Sequence, residues 1–246
     1  MKLKIFRHLV QLVAVAFLIA PIYYTDTIWY GTFLSADLLG LFLTDPFTAL
    51  EITLASKTFH QTLFLSIVPL VVMGLVLGRV FCSFVCPLNL VFELIPYPKI
   101  FHHKNRFLPL YAAGVFLLIA LIISYPVFNA ISPVFELQRA ILFGFGVEAV
   151  IIALVLIAGF IWGRKAWCQT LCPIGAVYGV LGLKRLVNVR VDHSKCKHCG
   201  KCTKNCTMAT SPDAHSLAHD FVCTNCGDCI SSCPNGAVSY KVGWGK

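Results

Sequence analysis

The sequence predicts an α-helical membrane protein: four transmembrane helices as two parallel two-helix repeats, followed by a small C-terminal α+β module rich in cysteine. Three observations carry that expectation. Apolar residues make up 58% of the 246-residue chain and charged residues only 13%, against about 25% charged in a soluble domain, and mean hydropathy is +0.78. The hydrophobicity fills the chain up to residue 185 and then stops, which sets expected domains at 1–185 and 186–246. All twelve cysteines fall into four short clusters, whereas disulfide staples would be scattered over loops.

Four apolar stretches approach the ~20 helical residues that a hydrocarbon core requires. They lie near Ile5–Tyr24, Phe59–Phe81, Phe107–Val127 and Phe145–Gly163. The moderately apolar segment Ser35–Ser56 carries Asp37, Asp45, Pro46 and Glu51 and reads as an outer loop. The first stretch follows a basic start as a signal peptide would, but no small-x-small cleavage site precedes Pro21, so it reads as a retained span.

Lysine and arginine set the expected orientation. Lys2, Lys4 and Arg7 precede the first stretch, Arg79, Lys99, Lys104 and Arg106 separate the second and third, and Arg164, Lys165, Lys184, Arg185 and Arg190 follow the fourth. The two remaining loops hold only Lys57 and Arg139. The bias predicts a multi-pass protein of the bacterial inner membrane with N- and C-termini cytoplasmic. The net charge of +9 then needs no nucleic-acid partner to explain it.

Two internal repeats organise the chain. The pair Cys82/Cys86 recurs 86 residues later as Cys168/Cys172, and Pro46 recurs 87 residues later as Pro133. Each unit ends in an aromatic residue and Cys-x-x-x-Cys-Pro. In the tail, Cys196, Cys199, Cys202 and Cys206 recur 27 residues later as Cys223, Cys226, Cys229 and Cys233.

Each tail run is C-x-x-C-x-x-C-x-x-x-C, the ligand spacing of bacterial two-cluster ferredoxins, in which the fourth cysteine of each run reaches the other cubane. One [4Fe-4S] cluster is expected on Cys196, Cys199, Cys202 and Cys233, and a second on Cys223, Cys226, Cys229 and Cys206. Zinc, which takes four ligands, would have no use for the third and fourth cysteine of each run. Thr207 stands where a proline is usual, a departure that removes no ligand. "VRVD" and "AVSYKV" alternate as strands and should close the module. His193, His198, His215 and His219 read as solvated loop residues. So small a segment needs the clusters as its core.

Cysteines four apart lie on one helix face, and the following proline disfavours helical geometry at the residue before it. Cys82 and Cys168 are therefore expected in a last helical turn, and Cys86 and Cys172 at its break. Three readings of these four thiols stay open: a further iron–sulfur site, a redox-active dithiol system, or structural helix ends, since buried cysteine packs as a small apolar residue.

Together these features resemble the NapH-type ferredoxin-containing quinol dehydrogenase membrane component of periplasmic nitrate reductase and related systems. "DPFTALE", "FCSFVCPLN" and "WCQTLCPIGAVYGVLG" carry the resemblance, which covers essentially the whole chain. It implies a membrane electron-transfer subunit that oxidises quinol. Electrons would pass through iron–sulfur clusters to a periplasmic iron–sulfur partner, and then to a cytochrome c or a nitrate or nitrous oxide reductase. The competing reading is a ferredoxin-type membrane accessory protein supplying electrons for metal-cofactor assembly or maturation. Members of that class carry a further domain after the ferredoxin. The outer loops are too short for the flavin domain of a redox-sensing regulator. Neither a phosphate-binding glycine loop nor a nucleophile–base pair supports a hydrolase or transferase.

Quinol oxidation also releases protons, so ionisable residues near the span ends are candidates. These are Asp45, Glu51, His60, Glu136 and Glu148 on the outer side and Glu93, His102 and His103 on the inner side. Loop solvation accounts for most of them. Glu148, at the outer start of the fourth stretch, is the catalytic candidate least easily explained that way.

Overall fold

Helix α1 (Lys2–Tyr23) leads into a three-stranded antiparallel sheet of β1 (Trp29–Gly31), β2 (Ser35–Leu38) and β3 (Leu41–Thr44), with Ser35 opposite Thr44. The structure, a computed structural model, describes residues 2–23, 29–31, 35–38, 41–95, 105–144, 146, 148–163, 165–210, 212 and 220–243. Helix α2 (Pro46–Ser56) starts on Pro46, whose fixed φ suits a first helical position. The Asp45 carboxylate caps it, accepting from the Phe47 and Thr48 amides at 3.0 and 3.3 Å. The segment expected as a surface loop thus forms two strands and a helix whose Phe47 and Glu51 are fully buried.

The sequence repeat recurs as a repeat of elements. Helices α3 (Gln61–Leu77), α4 (Val80–Phe84) and α5 (Pro87–Leu94) are followed by α6 (Leu108–Ile123) and the short α7 (Val127–Ile131). Then α8 (Pro133–Phe143), α9 (Glu148–Trp162), α10 (Ala166–Thr170) and α11 (Pro173–Leu181) repeat the pattern of α2 to α5. Both α2 and α8 begin on proline, and both α5 and α11 begin on the proline of Cys-Pro. The tail contributes β4 (Val187–Val191), α12 (Lys201–Lys204), α13 (Asp228–Ser232) and β5 (Val238–Val242). β4 and β5 pair antiparallel, Val187 opposite Val242.

The expected four-transmembrane-helix architecture and the inner-membrane, multi-pass localisation with cytoplasmic termini are corrected here. Among the described residues no helix is long and apolar enough to cross a membrane. The stretches that looked continuous in sequence are interrupted by the backbone. Helix α3 stops at Gly78 (φ 74°), α6 at Ser124 (φ 56°) and α9 at Gly163 (φ 120°). With 17, 16 and 15 residues they span about 26, 24 and 22 Å at 1.5 Å per residue, short of the ~30 Å hydrocarbon thickness. Helix α1 has 22 residues, but Arg7 and Gln11 are fully buried on the face it turns to the protein. Lysines and arginines that looked like an orientation signal are, in part, internal: Arg7, Arg79, Lys165 and Arg185 are all buried.

The main core lies between α2, α4, α6, α7 and α11. Phe81 stacks on Tyr178 with ring centroids 5.6 Å apart, and Phe47 meets Phe128 edge-on at 5.3 Å. Met208, Phe221 and Val222 from the tail complete this cluster, so the cysteine-rich module packs into the helical layer. A second cluster inside the module joins Val189 and Val238 to Cys202, Cys223 and Cys229.

Candidate iron–sulfur centres

The two Cys-x-x-x-Cys-Pro motifs share one local geometry. Cys82 lies in α4 and Cys168 in α10. Cys86 and Cys172 are extended (ψ 118° and 105°) just before the prolines that start α5 and α11. Proline forces that break. All four thiols line one cavity, with Phe81, Leu88, Val134 and Ile174 as its apolar wall.

Two buried cations line the same cavity, Arg79 and Lys165. Arg79 donates to the Phe221 carbonyl at 3.1 Å and the Val222 carbonyl at 3.4 Å. Gly175 makes room for it, since a Cβ there would collide with Nη2 of Arg79. Lys165 donates to Thr207 Oγ1 at 2.9 Å and sits 3.7 Å from Glu93. Burial pushes all four thiols up. Cys86 and Cys168 rise to about 12 and Cys172 higher still, each also opposed by neighbouring thiols, while Arg79 partly offsets the rise at Cys82.

In the tail, one cavity is lined by Cys196, Cys199, Cys202 and Cys233, another by Cys206, Cys223, Cys226 and Cys229. The fourth cysteine of each run lies at the cavity of the other run. Positive φ at His198 and Gly200 in the first loop, and at Asn225 and Gly227 in the second, lets the backbone wrap the thiols around a centre. Among the described residues, no three His, Cys, Asp or Glu side chains converge as a site for a single metal ion. A zinc site would hold its sulfurs about 4 Å apart, from a Zn–S bond of ~2.3 Å. Four thiols at each cavity match the ligand count of a [4Fe-4S] cubane.

The module is bound to the helices by buried polar contacts. Ser83, beside Cys82, donates to the Thr224 carbonyl at 2.9 Å, beside Cys223. Arg185 donates to the Cys223 carbonyl at 3.2 Å, and Asn225 donates to the Leu77 and Val187 carbonyls at 2.8 and 2.9 Å. Arg7 bonds Glu93 at 2.6 Å, Asp228 at 3.0 Å and the Cys226 carbonyl at 3.2 Å. Burial raises the Glu93 carboxyl, but Lys165 and Arg7 outweigh it and hold the group below its ordinary value.

The other candidates scatter. Glu148 is the first residue of α9, and its side chain lies outside those described. Glu51 accepts from the Phe128 amide at 2.6 Å and from Asn129 at 3.0 Å, which makes it a structural tie. Glu136 pairs with Arg139 at 3.6 Å, and exposed His60 meets Thr58 at 2.9 Å. His193 and His198 are exposed and stack on each other. His102, His103, His215 and His219 lie outside the described residues. Sequence reasoning missed Arg79 and Lys165 as cavity residues. The Gly-Arg repeated before each motif was the available signal, yet in the second copy the described cation at the cavity is Lys165, one residue on.

A family model described as a 4Fe-4S binding domain matches residues 59–106 and 143–190, the two repeats that carry Cys-x-x-x-Cys-Pro. The chain is 32% identical to the methylamine utilization ferredoxin-type protein MauN of Methylorubrum extorquens, over 82% of this chain and 73% of that protein. It is 31% identical to the ferredoxin-type protein NapH of Haemophilus influenzae, over 96% of this chain and 88% of that protein. With the ferredoxin-type protein NapH of Escherichia coli the identity is 28%, over 98% and 89%. No solved structure matches. With its cysteine runs, its paired motifs and relatives similar over 73 to 89% of their length, the chain belongs to the NapH/MauN family of ferredoxin-type iron–sulfur electron-transfer proteins.

Proposed function

We propose that this protein takes electrons from a quinol and passes them through three [4Fe-4S] clusters toward a reductase chain of the nitrate or nitrous oxide type. The first cluster is assigned to Cys196, Cys199, Cys202 and Cys233, and the second to Cys206, Cys223, Cys226 and Cys229, within a cluster-binding domain at 186–246. The third is assigned to Cys82, Cys86, Cys168 and Cys172. The observation that carries the reading is the division of twelve thiols among three cavities, four to each.

Such clusters supply reversible one-electron storage; the chain supplies the surroundings. Four thiolates on a cubane leave a net charge of roughly −2 in the oxidised state. Buried Arg79 and Lys165 offset that charge where water cannot, and each also favours the reduced form. The Ser83 hydroxyl, one residue after Cys82, donates to the Thr224 carbonyl, one residue after Cys223, and this supports reading the third centre as a neighbour of the second. The donor and the receiving reductase rest on the resemblance to NapH-type proteins, and quinol dehydrogenase activity is the enzyme function that follows.

Anaerobically reconstituted full-length protein should hold about twelve irons and as many acid-labile sulfides, as three cubanes require. Cys82→Ser or Cys172→Ser should lower both counts to about eight, leaving the tail clusters intact. Unchanged counts in both variants would sink the third cluster, and zinc without sulfide would sink all three.

A further inference from the structure

We propose that the quinol head group binds in the polar cavity between α10 and the loop that follows Cys206, with Met208 as the partition between that cavity and two cluster sites. This cavity of about 70 Å³ is lined by Asn105, Arg106, Gln169, Met208, Thr210 and Val222. Met208 also lines the cavity of Cys82, Cys86, Cys168 and Cys172, and that of Cys206, Cys223, Cys226 and Cys229. One side chain therefore separates a small-molecule site from both thiol groups. The proposal rests on the quinol reading above and adds to it a place and a set of residues.

Size, chemistry and position select the ligand. At ~15 Å³ per water molecule the space holds about five waters, the scale of one substituted six-membered ring. Met208 and Val222 offer apolar surface to a ring face. The Gln169 amide and the Arg106 guanidinium offer polar partners to ring hydroxyls, the combination that orients a small ligand in an apolar pocket, while the Thr210 hydroxyl meets Cys206 Sγ at 3.0 Å and ties the cavity wall to the second thiol group. Gln169, Met208, Thr210 and Val222 are buried, so the inner wall is fixed. Asp220 holds Arg106 at 2.8 Å.

The position also suits a two-electron donor feeding one-electron acceptors. Oxidation of the quinol breaks two O–H bonds and yields the quinone, two protons and two electrons. Clusters held by Cys82, Cys86, Cys168 and Cys172 and by Cys206, Cys223, Cys226 and Cys229, the two thiol groups that Met208 borders, would each accept one of the two electrons. Both protons leave to water at the open rim, where Asn105 is exposed and the Arg106 side chain is 41% exposed.

The test uses reconstituted full-length protein and duroquinone as the probe, with binding read by calorimetry. Gln169→Leu removes the amide at nearly constant volume, and Asn105→Trp narrows the rim. Each should weaken duroquinone binding at least tenfold, while iron content and the electron paramagnetic resonance spectrum of dithionite-reduced protein stay as in the wild type. Wild-type affinity in both variants would overturn this site and leave the quinol reading standing. If duroquinone fails to bind the wild type and duroquinol fails to reduce its clusters, the quinol reading falls, and this site with it.

Discussion

Arg7 is fully buried, and its guanidinium joins three parts of the chain that are far apart in sequence: Glu93 after α5 begins, Asp228 at the start of α13, and the Cys226 carbonyl. Removing one partner from a buried ionic group leaves uncompensated charge, at a cost of about 3–5 kcal/mol. Arg7→Met should lower unfolding stability by that amount in a urea titration, and Arg7→Met/Glu93→Gln should recover part of it. A loss below about 1 kcal/mol, the worth of an exposed pair, would show that the network is solvated. The cysteines were legible residue by residue, because ligand spacing is a local property of the chain. Arg7, Arg79 and Lys165 were not. Their roles depend on tertiary neighbours more than 40 positions away, and in sequence a basic residue beside an apolar run looks like an orientation signal.

Among elements, α2 shows how a buried polar group can punctuate an apolar segment. Asp45 caps it from a fully enclosed position, and burial raises its carboxyl to about 6 against the cap hydrogen bonds, which pull the other way. The native state therefore holds this proton more tightly than the unfolded chain does. Its contribution is full below about pH 4 and is lost as pH rises toward 6; two units correspond to about 3 kcal/mol. Asp45→Asn keeps a capping oxygen without the charge, so its stability should change less between pH 4 and 6, with a neutral or positive effect at pH 7. Asp45→Ala should be less stable than Asp45→Asn by about 1 kcal/mol, the worth of an N-cap. Thermal unfolding across that pH range checks both; parallel curves for wild type and Asp45→Asn would rule out titration of this group. Asp45, Pro46 and Glu51 made the segment read as a loop, whereas Asp45 and Pro46 start α2 and Glu51 is buried within it. Composition likewise missed the breaks at Gly78, Ser124 and Gly163, since a left-handed backbone position leaves mean hydropathy unchanged.

At the scale of the molecule, the cysteine-rich module and the helical layer share one interior. Three of the five buried residues in the module's own core cluster are cysteines, so little apolar packing remains there once the thiols lose what they bind. The other face is held from outside, by Arg79 on Phe221, Ser83 on Thr224, Arg185 on Cys223 and Asn225 on the end of α3. These ties reach the second thiol cavity and not the first: Cys199 is exposed, whereas Cys223 and Cys229 are buried. Bound clusters stabilise the folded state by mass action, so removing them should expose this asymmetry. Treating the anaerobic holoprotein with a ferrous chelator should first raise hydrogen exchange in the Cys196–Cys206 loop and in β4 and β5. Exchange around Phe221–Cys229 should rise later, and α2, α6 and α11 should keep their protection. Simultaneous loss of protection in all three regions would mean that the helical core, too, depends on the metal. Earlier loss at Phe221–Cys229 would mean that the buried ties from Arg79, Ser83 and Arg185 do not hold the second centre in place.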